Sequence, residues 1–574
     1  MNKIESKKYH PKTKEQLKKL CQDESIYLGD IDTSKITDMS YLFCDEDCFY
    51  EVNRKDFKGI ETWDVSNVKN MEGMFYGAKS FNENISKWNV SNVTNMSYMF
   101  NNAKSFNQPI GNWNTSSVKD MSNMFSEADS FNKPIGNWNV SKVKDMSGMF
   151  SYTKKFNQPL GNWNVSKVKN MEKMFCCAEK FNQPLDKWNT SNVTNMKCMF
   201  KDAEKFNQLI GKWNTSNVKD MNAMFRNAKS FNQDIGNWDV SKVENMESMF
   251  RNAKTFNQSL DKWNVSNVKT MKDMFYVAES FNQSLNKWDV SNVINMNNMF
   301  SYAKSLNQPL DKWNTSNVKD MSEMFFGAHS FNQPIGNWNV SNVEDMSKMF
   351  EGAKSFNQSL AKWDVSKVKN MRCMFYSAES FNQSINNWDT SNVENMGYMF
   401  SEAKLFNQPL DKLDTSNVKY MDNMFSKAES FNQPIGNWNV SNVEEMSYMF
   451  ANTKLFNQDI SKWNVSNVKN MCGMFERAYS FNQSIGNWNV SKVKDMTDMF
   501  YDAKAFDKPL DKWNISQVEH MENMFKNAIL FKQILPKEWA EKAGYKNLVE
   551  EKNKVKISLK GKSVKKKQNN DMEM

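Results

Sequence analysis

A tryptophan recurs every 25 residues through most of this 574-residue chain. The series runs from Trp63 to Trp513, and Leu413 is the one substitution among its nineteen positions. A period of this length is typical of repeat proteins, in which one short unit buries its apolar face against the next copy. The sequence therefore predicts a stack of about 20 similar units in place of several separate globular domains.

The second half of each unit carries the motif Met-x-x-Met-Phe, and nineteen such pairs supply 38 of the 42 methionines. From Val93 to Ala103 the apolar residues have the spacing of one helical face. This predicts a short amphipathic helix of about ten residues in each unit, with Ser91 and Ser116 as helix N-caps. The predicted core of a representative unit consists of Trp88, Val93, Met96, Met99, Phe100, Phe106, Ile110 and Trp113.

Upstream of this stripe, Trp88 and Val90 alternate with Asn89, which predicts a short extended strand. Strands lie about 4.8 Å apart, whereas packed helices need about 8–10 Å, so the helical side should fan outward. The predicted fold class is an α/β repeat solenoid, a leucine-rich-repeat-like curved array of short parallel strands and short helices. A parallel β-helix is the alternative, disfavoured because the Met-Phe stripe has a helical period.

The two ends differ from the repeats in composition. We expect a basic N-terminal capping segment at 1–29, the solenoid at 30–535, a C-terminal capping helix at 536–551 and a basic disordered tail at 552–574. Of the net charge of +9, residues 1–20 carry +5 and residues 537–574 carry +5, which leaves about −1 for the remainder. Because a near-neutral body offers no continuous basic groove, no nucleic-acid partner is expected.

The chain offers few residues for catalysis. Its three histidines, His10, His329 and His520, lie far apart, so neither a nucleophilic triad nor a histidine metal centre is predicted. The Met-x-x-Met pairs could be soft-metal ligands, but core packing explains them better. We therefore predict no catalytic residues, no cofactor and no metal site, and the eight scattered cysteines do not form a disulfide framework.

An Asn-Gln pair recurs beside the predicted strand. One interpretation is a ladder of stacked amides that satisfies neighbouring groups, and the other is a face for ligand binding; the ladder is favoured. The residues concerned are Asn107, Gln108, Asn157, Gln158, Asn232, Gln233, Asn257, Gln258, Asn332 and Gln333. In contrast, the pairs Tyr76-Gly77, Asn101-Asn102 and Cys176-Cys177 vary among copies, which suits exposed positions.

The motif Val-Thr-Asn-Met-Ser-Tyr-Met-Phe at 93–100, followed by Ala103, Phe106, Ile110 and Trp113, supports a family resemblance. It resembles the BspA-type leucine-rich-repeat proteins, in particular the branch with 25-residue repeats of unknown function described in mycoplasmas and other host-associated bacteria. The resemblance covers about residues 30–535. It implies a curved leucine-rich-repeat-like solenoid and, from many members, a surface-exposed adhesin or antigen.

These observations predict a non-enzymatic repeat scaffold that binds a protein or cell-surface ligand through many equivalent contacts, for cell-surface adhesion or host interaction. The alternative is an intracellular protein-protein interaction scaffold, favoured by the unpaired cysteines. The N-terminus has no apolar stretch typical of a signal peptide, and no transmembrane segment or anchor is expected. The resemblance thus favours the cell surface, and the missing signal leaves the cytoplasm open.

Overall fold

The computed structural model describes residues 7–44, 52, 54–543, 548–551 and 554–557. The chain divides into two compact units, Met1–Val318 and Lys319–Met574. The same 25-residue repeat is found within each unit, and successive copies are joined by backbone hydrogen bonds.

The N-terminal segment begins with helix α1, Lys14–Gln22. Its cap is Thr13, whose hydroxyl accepts from the Gln16 backbone N–H at 3.3 Å. Leu17 and Cys21 are fully buried, so the helix covers apolar surface at the start of the array. Two short 3₁₀ helices follow, at Leu28–Asp30 and Ile60–Thr62.

The C-terminal segment contains strand β1, Ile534–Pro536, helix α2, Lys537–Lys542, and strands β2, Leu548–Glu551, and β3, Lys554–Ile557. The three strands form an antiparallel sheet in the order β1-β3-β2. Helix α2 is shorter than the helix expected over 536–551, and β3 lies in the stretch expected to be disordered. Residues 558–574, the rest of that predicted tail, lie outside the described residues.

The helix predicted in each repeat is wrong. The segment Met96–Ala103 forms two consecutive β-turns, in which Met99 N–H donates to the Met96 carbonyl (3.3 Å) and Ala103 N–H to the Phe100 carbonyl (3.1 Å). The third residues of these turns, Tyr98 and Asn102, have φ of 57° and 58°. A right-handed helix cannot contain such left-handed residues, whereas a type II turn needs positive φ at its third position.

These turns carry many of the backbone hydrogen bonds between repeats. Tyr98 N–H donates to the Ser122 carbonyl at 2.8 Å, and Phe100 N–H donates to the Met124 carbonyl at 2.9 Å. The same offset recurs in successive copies within each unit, with parallel bridges such as Asn95 to Asp120 between them. The described repeats therefore have neither the strand face nor the helix face that we expected, so the predicted outward fan of the helices does not arise.

The predicted strand around Trp88 and Val90 is also absent, because the chain turns there. Trp113 N–H donates to the Ile110 carbonyl at 3.2 Å, which closes a turn. The Trp113 indole N–H donates to the Ile85 carbonyl of the preceding copy, also at 3.2 Å. Each such carbonyl thus serves two donors, one within its own copy and one in the next.

Stacked aromatic rings fill the interior of the repeats. Phe100 lies 4.0 Å from Phe106 within one copy and 5.5 Å from Phe125 in the next, measured between ring centroids. Trp113 and Trp138 lie 6.3 Å apart, with their planes tilted by only 3°. The eight residues assigned to the core are buried, none with more than 5% of its surface exposed: Trp88, Val93, Met96, Met99, Phe100, Phe106, Ile110 and Trp113.

Leu413 offers a test of the tryptophan column, since it lacks the indole N–H that would reach the Ile385 carbonyl. Leu413→Trp should stabilise the protein by about 1–2 kcal/mol, because it adds a buried hydrogen bond and extends the ring stack. The midpoint of urea unfolding measures this, with Trp463→Leu as the matched reverse substitution at a regular position. A lower midpoint for Leu413→Trp would show that the site has no room for the ring.

Candidate functional site

The repeat presents exposed residues in two columns on either side of a buried valine. In one copy Lys142 and Lys144 are exposed and flank Val143, which is fully buried. The residue after the valine is bonded to its counterpart in the preceding copy: Lys144 N–H donates to the Lys119 carbonyl at 2.9 Å, and Lys169 N–H to the Lys144 carbonyl at 2.9 Å. We call the residues after the valine the charge column and those before it the outer column.

Through much of the array the charge column neutralises itself. From Lys319 to Lys469 lysine and glutamate alternate on neighbouring copies, so each of these lysines lies next to a glutamate position. The ion pairs of the column include Lys269–Glu244 at 2.8 Å, Lys369–Glu344 at 3.6 Å, Lys419–Glu394 at 2.8 Å and Lys469–Glu444 at 2.6 Å. In the second unit the two columns line a shallow groove, with Asn417, Asn442, Asn467 and Lys492 on one side and Lys419, Glu444 and Lys469 on the other.

Three consecutive copies in the first unit break this pattern. Their charge column holds only lysine, and two of their outer-column residues are also lysine; all five are exposed. None of the five pairs with a carboxylate in the part of the chain that the structure describes. Because like charges on neighbouring copies sum, this patch concentrates more positive charge than the stretches of the column that are ion-paired. We call it the lysine cluster: Lys119, Lys142, Lys144, Lys167 and Lys169.

The nearest acidic residues in sequence do not offset the cluster by ion pairing. The Asp120 carboxylate accepts from the Ser122 backbone N–H at 2.9 Å, and the Asp145 carboxylate accepts from the Ser147 N–H at 2.8 Å. These bonds stabilise the turns, since an Asx side chain replaces a backbone acceptor there. The exposed ammonium groups are therefore left to solvent or to a partner.

The Asn-Gln row is used for stacking between copies. Asn257 N–H donates to Asn232 Oδ1 at 2.9 Å, and Gln258 Nε2 donates to the same oxygen at 3.1 Å. Asp507 supplies the equivalent oxygen where the asparagine is missing, and Lys532 N–H donates to it at 2.9 Å. Bonds of this kind involve nine of the ten residues considered as a ligand face: Asn107, Gln108, Asn157, Gln158, Asn232, Gln233, Asn257, Gln258 and Asn332. The tenth, Gln333, also has an interaction partner.

Ser91 and Ser116 are not helix N-caps, since no helix follows either residue. An N-cap serine would accept a hydrogen bond, but here each serine donates one from its backbone. Ser91 N–H donates to Asn89 Oδ1 at 3.2 Å, and Ser116 N–H donates to Asn114 Oδ1 at 3.2 Å. The asparagine is thus the acceptor that forms the turn, and the serine supplies its backbone donor.

A cluster of metal-ligating side chains lies at the variable pair Cys176-Cys177. The two sulfur atoms are 3.6 Å apart, and Cys177 Sγ lies 3.7 Å from Asp202 Oδ2. The three ligand atoms lie within 4.8 Å of one another. The pair was expected to be exposed, but Cys176 is buried. The cluster is not apparent along the sequence because Asp202 is 25 residues from Cys177 and joins the pair only through the register of the repeats.

Burial perturbs the carboxyl group of Glu351. Removal from solvent raises the pKa of Glu351 to about 7, against the opposing effect of Lys348. Its Oε2 atom is buried and has no hydrogen-bond partner among the described residues. A shifted carboxyl pKa by itself does not define a catalytic site, because general acid-base chemistry also needs a substrate position within hydrogen-bond reach.

Together these features define a tandem-repeat protein with stacked turns and exposed columns of polar residues. The family model described as "Mycoplasma protein of unknown function, DUF285" matches overlapping stretches that run without a gap over residues 15–539. The chain belongs to this family. No helix among the described residues has the length and apolarity needed to cross a bilayer.

Comparison with other proteins adds little to this assignment. No curated protein matches the sequence. Among solved structures, the complex of TLR13 with ssRNA13 shares 10% identity, with coverage of 88% of this chain and 76% of that chain and a TM-score of 0.19. A plant peptide hormone receptor, RGFR1 in complex with RGF2, shares 8% identity, with coverage of 76% and 79% and a TM-score of 0.16. Scores this low support no inference about fold or ligand.

Proposed function

We propose that this protein is a non-enzymatic binding scaffold and that the lysine cluster docks an acidic segment of a partner protein. The observation that carries the proposal is the contrast within one column. The same position forms ion pairs such as Lys419–Glu394 in several other copies, whereas the three consecutive lysines Lys119, Lys144 and Lys169 have no carboxylate partner among the described residues. Unpaired cations on adjacent rungs repel one another, and an acidic partner would relieve that repulsion.

The size of the patch favours a protein over a nucleic acid. Three rungs at about 4.8 Å span only about 10 Å, and Thr94 and Thr194 bound the run of lysines in the charge column. Nucleic-acid sites commonly contact about 6–10 phosphates, which needs a longer basic track. An extended peptide with several carboxylates matches a patch of this length.

We propose further that the partner lies on another cell or on a host protein. The resemblance to BspA-type adhesins supports this, and weak contacts repeated along the stack would add through multivalency. The Asn-Gln row is a second proposed contact surface, with less support because its asparagine oxygens already accept bonds from the next copy. A scaffold inside the cell with one local partner is the alternative that the compact lysine cluster also supports.

Removal of the three unpaired charges in the charge column should weaken docking. The triple variant Lys119→Gln/Lys144→Gln/Lys169→Gln should bind a fluorescent oligoglutamate peptide at least about tenfold more weakly than the parent. The reason is that three ammonium groups that would contact the peptide carboxylates are replaced by neutral amides. Fluorescence anisotropy measures the affinity, and binding by the parent should weaken as salt rises.

The matched control is Lys369→Gln/Lys419→Gln/Lys469→Gln, which removes the same number of charges from the same column where they are ion-paired. It should bind like the parent. Equal losses in both variants would mean that net charge alone drives binding, which contradicts a local site. If single-stranded DNA binds more tightly than the peptide with the same lysine dependence, the partner is a nucleic acid and the protein assignment is wrong.

Location separates the two settings of the proposed scaffold. Protease treatment of intact producing cells should release peptides from this chain while a cytosolic control protein stays whole, as expected of an exposed adhesin. Mass spectrometry of the released peptides measures this. Cleavage that occurs only after lysis would contradict the adhesion proposal and leave the intracellular scaffold.

A further inference from the structure

We propose that Cys176, Cys177 and Asp202 form a binding site for a single Zn²⁺ ion or a similar thiophilic divalent cation. Two thiols and a carboxylate are ligands that zinc accepts in proteins. The site is independent of the lysine cluster, so neither proposal depends on the other.

Backbone hydrogen bonds between the turns of neighbouring copies hold the ligands in place from both sides. Cys177 N–H donates to the Lys201 carbonyl, Asp202 N–H donates to the Arg226 carbonyl, and Tyr152 N–H donates to the Cys176 carbonyl, each at 2.7 Å. Cys177 is a left-handed turn residue with φ of 57°. The turn leaves the two adjacent side chains with their sulfur atoms in contact, in place of the opposite directions that neighbours take in a strand.

Two of the three distances between ligand atoms fit a tetrahedral ion, and the third, from Cys176 Sγ to Asp202 Oδ2, is within 4.8 Å. Zinc-sulfur bonds of about 2.3 Å and zinc-oxygen bonds of about 2.0–2.2 Å place neighbouring ligand atoms roughly 3.5–3.8 Å apart. The Sγ–Sγ distance of 3.6 Å and the distance of 3.7 Å from Cys177 Sγ to Asp202 Oδ2 both lie in that range. Three protein ligands leave a fourth position for water or for a ligand from a partner.

The two thiols and the carboxylate are already in contact. The Cys176 and Cys177 sulfur atoms lie within hydrogen-bond reach of each other, and a metal ion would displace the thiol protons on binding. The Lys201 ammonium group lies 3.9 Å from Asp202 Oδ2, so it would have to move away when a cation binds. The other Asp202 oxygen accepts from Asn227 Nδ2 at 2.5 Å, which orients the carboxylate as groups around metal ligands commonly do.

Cobalt is the probe, because Co²⁺ bound to thiolates has charge-transfer absorption in the near ultraviolet. The full chain, kept reduced with a phosphine and freed of metal, should bind one equivalent of Co²⁺ with this band, and Zn²⁺ should displace it. Cys177→Ser should weaken Co²⁺ binding by more than about 100-fold, and Asp202→Asn should weaken it at least about tenfold. Asp202→Asn preserves the size of the side chain, which limits any effect on folding.

The control is Cys472→Ser, at a half-buried thiol whose sulfur donates to the Tyr448 hydroxyl. It should bind Co²⁺ like the parent, and thermal melts of all variants without metal should agree to within a few degrees. The proposal fails if the parent shows no thiolate-cobalt band, if Cys177→Ser binds as the parent does, or if Cys472→Ser loses as much affinity.

Discussion

The hydrogen bonds that join each pair of turns to the next are the interaction on which the rest of the structure depends. The N–H groups of Met96, Tyr98, Phe100 and Asn102 all donate to carbonyls of the following copy. These bonds fix the rise from one copy to the next, and the rise sets the distance of about 5.5 Å between stacked phenylalanine rings. Because every buried amide of this segment has a partner, the backbone can pass through the core without a helix.

The same register converts a sequence position into a column. A residue type that recurs every 25 residues meets its own copy, so asparagine builds an amide ladder and lysine beside glutamate builds a row of ion pairs. Such exposed pairs stabilise little individually. Their consequence is electrostatic: where the alternation stops, at Lys119, Lys144 and Lys169, charge accumulates on one face. The invariant positions thus build the scaffold, and the variable positions give each stretch its own surface.

Much of the core could be predicted from the sequence, but the local conformation could not. The 25-residue period and the apolar positions identify the stacked units and the buried side chains, and the Asn89 turn follows from its chemistry. The helix prediction failed because Met-x-x-Met-Phe-x-x-Ala has the same spacing in a helix and in two successive turns. The sequence signal that distinguishes the turns from a helix lies at the third residue of the second turn, which is Gly77 in the first of nineteen copies and Asn527 in the last. Ten of the nineteen residues at this position are Gly, Asn or Asp, the types that most readily adopt positive φ.

Neither candidate site could be found by reading along the chain. The charge sum over all the repeats hides the five lysines, since paired residues elsewhere cancel them in the total. Likewise, Cys177 and Asp202 are separated by a full period, and only the register of the ladder brings their side chains together. Comparison of equivalent positions down the repeats, without a structure, would have revealed both features, because each depends on which residues stand one period apart.

The most direct test of the stacked turns is whether one substitution stabilises or destabilises the protein. Gly352 has φ of 68°, and a methyl group added there would meet only Gly327 backbone atoms at 3.6 and 3.7 Å, so the space is sufficient. Gly352→Ala should therefore destabilise the protein by about 1 kcal/mol through backbone strain alone. In a helix, the same substitution would stabilise by about 0.5–1 kcal/mol. A higher unfolding midpoint for Gly352→Ala would contradict the stacked turns, and a lower one is the result that they predict.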